Sequence, residues 1–503
     1  MKENLLFLLF IITLCASNRI CAQGFNHQWL LGSYNFLQDP KGRMFIDSNS
    51  DSVVTEYRKM VFKGTQGNIC DENGNFLMSS NGVWIANANN DTMLNGSGLN
   101  PNGITSNWPY GLPLMANNIF IPFPDDSNKY ILFHHTITNF PLDAPALELY
   151  SSIVDITLDS GKGAVISKNN IVLQDTLNGG IGACKHANGR DWWIVMIKDS
   201  TDLIYKVLLT DSGVTSISSQ SLNYLPKFNA NIAQLTFSRD GTKFISTAYN
   251  NPTQQNSKLI ICDFDRCTGN FSNTVAIQLI NDDYLFGLAF SSSGKKIYAC
   301  SNDFIFQLDA STLTVDTVAV YDGFISPPGS GCCATDFWNM YLAANGKIYV
   351  SSGSGVQHIT VINNPDSTGL ACNVHQHSID LLNYRYLRAV PNHPNYYLGR
   401  LQGSPCDTLQ WQGIQEAQHD FRFRVYPNPI SNNSLHIGYL LPQNKSGLFQ
   451  IINTTGQVVY QYNLPQWSNE QDLKLPQLAN GIYNATIISD NRRVSKTIAI
   501  IKE

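Results

Sequence analysis

Residues 235–248 read LTFSRDGTKFISTA, in which two short apolar segments flank a polar turn that ends in glycine. Asp-Gly and Asn-Gly pairs supply the positive φ angles that two-residue hairpin turns need, and alternation of apolar and polar side chains is typical of a half-buried strand. The stretch therefore predicts two antiparallel strands joined at Gly241.

The same pattern recurs along the chain at a nearly constant spacing of 52 or 53 residues between turn glycines. Four copies are clear and two are weaker, with turn positions at Gly189, Gly241, Gly294, Gly346, Gly74 and Asn128. Repeats of about 40–50 residues are typical of β-propellers, in which small antiparallel sheets pack around an axis and bury faces that a single sheet leaves exposed. The turn sequences FSRDG and FSSSG resemble those of WD40-like and YVTN-type propellers.

A complete blade is predicted around Gly241, with strands at 232–237, 243–248, 258–264 and 274–280. Two more strand-like segments, 29–36 and 396–401, lie outside the six copies. Pairing them makes a composite seventh blade that closes the ring and removes its sheet edges. We therefore expect an all-β protein with a propeller of about seven blades over residues 23–405, six or eight blades being the alternatives.

Composition agrees with a folded, all-β chain. Only 14% of the 503 residues are charged, 43% are hydrophobic, and 22 Tyr and 25 Phe supply large apolar side chains. The net charge is −5 and no cluster of Lys and Arg occurs, so a nucleic-acid partner is not expected.

The amino terminus has the pattern of a secretory signal peptide over residues 1–22. Lys2 precedes the apolar run 5–14, and Ala22 ends a small-residue exit. Ten apolar residues are too few to span a bilayer, and no later apolar run reaches 18 residues, so no transmembrane segment is expected in the mature chain. The alternative is a membrane anchor or a lipoprotein signal at Cys15 or Cys21.

Nine of the 11 cysteines follow the signal peptide, and an exported chain meets an oxidising compartment in which disulfides form. Because nine is odd, at least one thiol stays unpaired or pairs between chains. We consider two pairings, Cys262 with Cys267 and Cys372 with Cys406, with buried free thiols as an equal alternative. Six cysteines are disulfide candidates: Cys262, Cys267, Cys372, Cys406, Cys332 and Cys333.

The carboxyl-terminal part has a different character. Residues 406–420 are polar and predict a linker, and residues 421–503 contain short alternating strands between Gly and Asn turns. Hairpins are expected at 453–456 and 480–481. The segment therefore predicts a small antiparallel β-sandwich.

Residues 421–503 resemble the type A C-terminal sorting domain of the bacterial type IX secretion system. The motifs follow the family order: VYPNP at 425–429, GQVV at 456–459, LANGIY at 478–483 and a closing strand at 496–501. The residues that carry the expected sorting signal are Tyr426, Pro427, Asn428, Pro429, Gly456, Gly481, Tyr483 and Lys496.

The resemblance implies a route and partners. The Sec machinery would remove the signal peptide, and the type IX translocon would export the chain to the outer-membrane surface or the medium. In this family a sortase-like peptidase often removes the domain and either links the cargo to surface polysaccharide or releases it.

Candidate chemistry in the propeller is weak. Cys332 and Cys333 are adjacent, and a disulfide between adjacent cysteines lies near the cofactor in some quinone-dependent propeller dehydrogenases. The docking motif of those enzymes is missing from this sequence, so a structural loop is favoured. The pairs His375–His377 and His134–His135 offer imidazole ligands, although ordinary hydrogen-bonded histidines are favoured. An Asp-x-Asn-x-Asp start at 47–51 lacks the Gly and Glu of a calcium loop. We expect no cofactor and no metal, and no catalytic residue is identified.

The expected role is binding of a protein or glycan by a secreted or cell-surface propeller, an expectation that rests on the fold class alone. The alternative is a secreted hydrolase or lyase acting on polysaccharide. That alternative requires two carboxylates that face each other across a cleft and have raised pKa values.

Overall fold

The computed structural model describes residues 24–33, 39–46, 52–138, 144–224, 234–251, 254–279, 284–327, 333–388, 390–407, 423–442, 445–468, 470–490 and 492–502. The predicted signal peptide, the sequence 47–51 and most of the predicted linker lie outside these residues. Helical structure is limited to short turns, namely α1 (Gly103–Asn107), α2 (Leu158–Gly161) and a 3-10 turn at Gly369–Cys372.

Seven groups of antiparallel strands form the blades of a β-propeller. The first has β1 (Gln28–Leu31), β2 (Lys41–Phe45) and β3 (Ser52–Glu56). The second has β4 (Gly67–Cys70), β5 (Phe76–Ser80), β6 (Trp84–Ala86) and β7 (Thr92–Ser97). The third has β8 (Asn118–Pro122), β9 (Lys129–His134), β10 (Ala146–Asp155) and the first part of β11 (Ala164–Lys185).

The remaining blades have four strands each. The fourth combines the end of β11 with β12 (Trp192–Lys198), β13 (Leu203–Thr210) and β14 (Gly213–Ser221). The second to fourth groups are joined into one sheet through β11, which also makes one parallel pair with β7. The fifth has β15 (Leu235–Phe237), β16 (Lys243–Asn251), β17 (Gln254–Asp265) and β18 (Asn270–Gln278). The sixth has β19 (Gly287–Phe290), β20 (Lys296–Cys300), β21 (Phe304–Asp309) and β22 (Val315–Val320). The seventh has β23 (Met340–Leu342), β24 (Ile348–Val350), β26 (His358–Ile362) and β27 (Val374–Asp380), while β25 (Gly355–Val356) pairs with β28 (Tyr386–Leu387).

The first strands of successive blades contact one another around the axis, from β1 and β4 through β8, β11 and β15 to β19 and β23. The seventh blade meets the first through a shared apolar cluster. There the ring of Trp29 packs edge-on against that of Tyr349, with centroids 5.4 Å apart. Apolar packing between neighbouring blades therefore closes the ring.

In the second blade and the fourth to seventh blades, the turn after the inner strand repeats one geometry, in which a glycine of positive φ donates its amide to the carbonyl three residues earlier. At Gly241 the amide donates to the carbonyl of Ser238, Ser238 N–H donates to the carbonyl of Lys243, and φ of the glycine is +71°. The loop thus spans four residues, longer than the predicted two-residue turn. In the third blade the predicted turn residue Asn128 is wrong, because Asp125 adopts the positive φ there.

The predicted composite blade is wrong in its pairing. Residues 390–401, here called the axial segment, form no strand and descend through the centre of the ring next to β1. Pro391 and Pro394 explain this, because proline has no amide proton to donate to a β ladder. The segment still closes the ring, since the amide of Phe25 donates to the Tyr397 hydroxyl at 2.9 Å.

Side chains of the axial segment tie several blades together. The Nδ2 group of Asn392 lies 3.2, 3.1 and 2.9 Å from the carbonyls of Ala116, Asn118 and Ile181. The Tyr396 hydroxyl donates to the carbonyl of Phe120 at 2.9 Å. Buried carbonyls of the third and fourth blades are therefore satisfied by the segment that fills the axis.

Both predicted disulfide pairings are wrong. Cys267, in the turn between β17 and β18, is bonded to Cys406, which follows the axial segment. Cys262 and Cys372 are buried free thiols. Cys262 lies within β17 and points into the core, so its side chain cannot reach the turn, whereas Cys267 lies at the surface where the chain leaves the ring.

Of the adjacent cysteines, Cys333 is disulfide-bonded, and Cys332 lies outside the described residues. The odd count correctly predicted unpaired thiols, of which five are described and all are buried.

The carboxyl-terminal unit is a β-sandwich. One sheet has the order β29–β30–β33 and the other β32–β31–β34–β35. The strands are β29 (Phe423–Tyr426), β30 (Ser434–Tyr439), β31 (Gly447–Ile452), β32 (Val458–Leu464), β33 (Glu470–Lys474), β34 (Gly481–Ser489) and β35 (Arg492–Ile500). Its own apolar core includes Leu435, Phe449 and Ile487, all fully buried.

A buried ion pair joins two strands of the sandwich. His436 Nδ1 lies 2.7 Å from Asp472 Oδ1, and His436 Nε2 lies 3.9 Å from Glu470 Oε1. Burial alone would lower the pKa of His436, but the two carboxylates together outweigh it and raise the pKa to about 9.

We expect removal of the Cys267–Cys406 bond to destabilise the propeller. The bond closes a loop with a sequence separation of 139 residues, and loss of a native disulfide of this kind typically costs about 2–4 kcal/mol. Thermal unfolding of the Cys267→Ala/Cys406→Ala variant should occur at a clearly lower temperature than that of Cys372→Ala, which removes one buried free thiol. Equal melting temperatures for the two variants would contradict the assignment.

We expect the sandwich to lose stability in alkaline buffer. Because the pKa of His436 is about 9 in the fold and 6.5 is its ordinary value, its contribution is complete below about pH 6.5 and is lost as the pH rises through 9. Melting curves at about pH 6 and about pH 9.5 should show a larger difference for the natural protein than for His436→Gln. The same difference in both proteins would argue against the ion pair.

Candidate functional site

The two faces of the ring differ in the connections they carry. The turns at Gly74, Gly189, Gly241, Gly294 and Gly346 lie at one end of the axis, here called the lower face. Because the strands are antiparallel, the connections from the last strand of one blade to the first strand of the next lie at the opposite end, the upper face. Connections at one face of a rigid scaffold are where binding side chains usually lie.

Asp336 lies on the upper face, in the connection between β22 and β23. Its Oδ1 accepts from the amide of Gly353 and its Oδ2 from Nδ2 of Asn302, both at 2.8 Å. Burial raises the pKa of Asp336 despite these hydrogen bonds, and the nearby charge of Asp303 raises it further. This carboxylate is held in a fixed orientation and is still partly exposed.

Trp338 lies two residues further along and crosses the upper end of the axis. Its ring stacks on that of Phe286, with centroids 3.8 Å apart and 14° between the planes. Its Nε1 donates to the sulfur of Met115, in the connection between β7 and β8, at 2.6 Å. The guanidinium of Arg388 lies 5.8 Å from the ring centre. The side chain therefore joins the last blades to the opposite side of the ring.

We call Asp336, Trp338, Arg388 and Asn302 the upper cluster. It brings a carboxylate, a guanidinium, an amide and an aromatic ring together on the sixth and seventh blades. Sequence reasoning missed it, because its members come from three separate connections. Asp336 and Trp338 follow the adjacent cysteines at 332–333 within five residues, so the sequence signal lay next to them.

Histidines at the outer side of the same blades form ordinary polar contacts. His377 Nε2 lies 2.9 Å from Asp322 Oδ2, and its ring stacks on Phe324. His358 Nδ1 lies 3.0 Å from the Ser326 hydroxyl. A register shift in β26–β27 and a positive φ at His377 break the simple alternation that would place it beside His375.

His134 and His135 are both buried. His134 lies between Oδ1 of Asn100 and the Ser152 hydroxyl, each at 2.9 Å, and His135 lies 3.1 Å from the carbonyl of Gly179. Burial lowers the pKa of both, to about 3 and about 4, so both rings are neutral at physiological pH. The contacts agree with the expectation of hydrogen-bonded histidines. In the part of the chain that the structure describes, no three His, Cys, Asp or Glu side chains are grouped as metal ligands.

A cavity of about 50 Å³ lies on the axis between the inner strands and the axial segment. It is lined by Arg239, Leu288, Tyr341, His393 and Asn395, among others. This volume holds one or two water molecules. Residues of the axial segment, among them His393 and Asn395, form part of the wall of this cavity.

The predicted sorting residues fall into separate parts of the sandwich. Asn428 pins the opening motif to the closing strand, since its Oδ1 accepts from the amide of Ala499 at 2.8 Å and its Nδ2 donates to the carbonyl of Thr497 at 3.1 Å. Tyr426 packs on His436, with ring centroids 4.4 Å apart. The peptide bonds that precede Pro427 and Pro429 are both cis.

The other sorting residues are distributed over the second sheet. Gly456 has a φ of +85° in the turn between β31 and β32, where Oδ1 of Asn453 accepts from the amide of Gln457. Gly481 and Tyr483 lie on β34, and Lys496 on β35 faces Ala485. The structure thus brings the opening motif to β35 and leaves the Gly456 turn apart from it. A role of these residues in sorting stays a prediction.

Of the described helices, none has the length and apolar character needed to cross a membrane.

Comparison with known proteins identifies the sandwich. The family described as "Secretion system C-terminal sorting domain" matches residues 424–502. No curated protein matches the chain.

Solved structures resemble the chain only distantly. The extracellular domain of a protein described as a hybrid two-component system of B. thetaiotaomicron has 10% identity and a TM-score of 0.39, over 96% of this chain and 57% of that one. Dihydro-heme d1 dehydrogenase NirN has 8% identity and a TM-score of 0.40, over 91% of this chain and 76% of that one. The chain thus spans little more than half the length of the B. thetaiotaomicron domain.

The match covers the whole sandwich and agrees with the motifs found in the sequence. A domain of this kind directs its cargo to the type IX secretion machinery, which delivers it to the cell surface or beyond. Residues 424–502 therefore belong to the secretion system C-terminal sorting domains, and the protein is a type IX secretion cargo of the outer-membrane surface or the medium.

Proposed function

We propose that the propeller is a binding module for a protein or glycan and that the upper cluster is its binding surface. The observation that supports this is the juxtaposition of partly exposed Asp336, Trp338 and Arg388 on one face. Small-molecule and glycan sites typically combine an aromatic side chain with a few fixed polar groups.

The polar groups of the upper cluster are held in place by the fold. Asn302 and the amide of Gly353 fix the carboxylate of Asp336, and Arg388 Nε donates to the carbonyl of Gly353 at 3.4 Å. Preorganised side chains lose little conformational entropy when a ligand binds. A rigid, mixed polar and aromatic surface is therefore suited to recognition.

We expect a glycan and protein binding screen of the mature chain to give a ligand that depends on the upper cluster. Arg388→Ala and Asp336→Asn should each weaken that binding about tenfold, the equivalent of about 1.4 kcal/mol. Tyr57→Ala is the control, because Tyr57 is an exposed aromatic residue next to the outer strand of the first blade. Binding that is unchanged in both cluster variants would place the ligand elsewhere.

A second candidate function is cleavage of polysaccharide, as a hydrolase or a lyase. The observation in its favour is that Asp336 is partly exposed on the upper face and that burial raises the pKa of its carboxyl, the direction that a general acid requires. Turnover of a polysaccharide by the mature chain and its loss in Asp336→Asn would select this function. Binding without turnover selects the binding module.

We also propose the boundaries of the precursor: a signal peptide over 1–22, a propeller over 23–405, a linker over 406–420 and a sorting domain over 421–503. The sortase-like peptidase that acts on such cargo would cut within the linker. The propeller and the sandwich each have a buried apolar core, which supports this division.

We expect deletion of residues 421–503 to leave the propeller in the periplasm. The signal peptide still directs the chain through the inner membrane, but the type IX translocon no longer recognises it. Fractionation and immunoblotting of cells that express the deletion should show the change, with Leu370→Ala in the full chain as a control for altered surface residues. Normal surface delivery of the truncated chain would contradict the sorting role.

A further inference from the structure

The sandwich contacts the lower face of the propeller through the connection between β32 and β33. Four residues of this connection and of the start of β33 face the propeller, and we call them the docking residues: Pro465, Trp467, Glu470 and Gln471. Their partners belong to blades on both sides of the axis, so the contact lies across the end of the ring from which the axial segment emerges.

Trp467 supplies the apolar part of this contact. Its side chain packs against the buried cluster that spans the fourth and fifth blades and that includes Trp193, Phe264 and Leu398. Pro465 approaches the glycine turn of the seventh blade, where a Cβ atom on Gly346 would lie 3.8 Å from its ring. Tryptophan anchors that fill a partner's apolar surface contribute disproportionately to the stability of interfaces.

Glu470 supplies the charged part. Its side chain is 1% exposed, and its Oε2 lies 3.4 Å from Nδ1 of His27, a residue of the propeller that directly precedes β1. Its other oxygen lies 3.9 Å from Nε2 of His436 in the sandwich. One buried carboxylate is therefore shared by an imidazole from each unit.

Burial of this carboxylate is unfavourable unless it is compensated. Taking an ionised carboxylate out of water is strongly unfavourable, and removing one partner of a buried pair leaves the other uncompensated. His27 is itself only 4% exposed, so the propeller provides a matching buried partner. Gln471 adds a polar contact, since its Nε2 lies 3.5 Å from the carbonyl of Asn345.

We propose that the lower face of the propeller is a binding surface for the sorting sandwich of the same chain, with Trp467 as its apolar anchor and Glu470 as its charged one. The exported particle is then one rigid body. The sandwich stays bound without covalent attachment after the linker is cut, and its departure uncovers His27 and the Trp193 cluster. This inference does not depend on what the upper cluster binds.

The test uses the full mature chain with a protease recognition sequence placed within residues 410–418. After cleavage, size-exclusion chromatography at about 10 μM should show the sandwich and the propeller eluting together. Trp467→Ala and Glu470→Gln should each raise the dissociation constant at least about tenfold and separate the two parts. Separation of the cleaved natural chain would overturn the proposal.

Matched controls and a propeller-side variant make the result decisive. Ile482→Ala and Asp490→Asn change an exposed apolar residue and an exposed carboxylate of the sandwich away from the docking residues, and they should leave co-elution unchanged. His27→Gln alters the interface without touching the sandwich, so it decides the matter if a sandwich variant unfolds. Co-elution of cleaved His27→Gln with the affinity of the natural chain would overturn the proposal.

Discussion

The structure depends on how the backbone carbonyl groups at the centre of the ring find hydrogen-bond donors. Inner strands of a propeller turn carbonyl groups toward the axis, and an unpaired buried carbonyl is costly. Here the axial segment supplies the donors. Asn392 reaches carbonyls of two blades, and its Oδ1 accepts from the Tyr341 hydroxyl of a third. The backbone amide of Asn392 donates to the carbonyl of Gln66, just before the second blade. One short stretch therefore fixes the positions of blades that are far apart in sequence.

Filling the centre in this way separates the possible sites of function. A cavity on the axis that holds one or two waters leaves recognition to the surfaces at the two ends. The upper end carries Asp336, Trp338 and Arg388, and the lower end carries the glycine turns and the contact with the sandwich. The two proposals place the sandwich and the binding surface on opposite faces, so a docked sandwich leaves the upper cluster accessible.

The sequence predicted those parts of the fold that rest on local and repeated chemistry. The spacing of Gly189, Gly241, Gly294 and Gly346 gave the blade period because each turn needs a residue with positive φ at the same point. The motif VYPNP at 425–429 was recognisable for a similar reason, since its residues are close together in the chain. Both signals consist of residues that are close together in the chain, so each can be recognised in a single sequence.

Features that depend on contacts between distant segments were not predictable. Cys267 and Cys406 are brought together only because the axial segment leaves the ring beside the fifth blade. Pro391 and Pro394 disfavour a strand in the axial segment, but the apolar and aromatic residues at 396–401 are typical of one. Asp336 and Arg388 both bond to the backbone of Gly353, from connections that are far apart in the sequence. The upper cluster thus required the three-dimensional structure.

The position of the axial segment at the end of the propeller sequence sets an order of assembly. All seven blades precede residues 390–401 in the chain, so until that segment is synthesised the centre of the ring lacks the donors that Asn392 and Tyr396 supply. The axial segment completes the ring, and it lies at the end of the propeller sequence, shortly before the sorting domain. A chain that carries the sorting domain therefore also carries the axial segment, whereas a product that terminates before residue 390 lacks both.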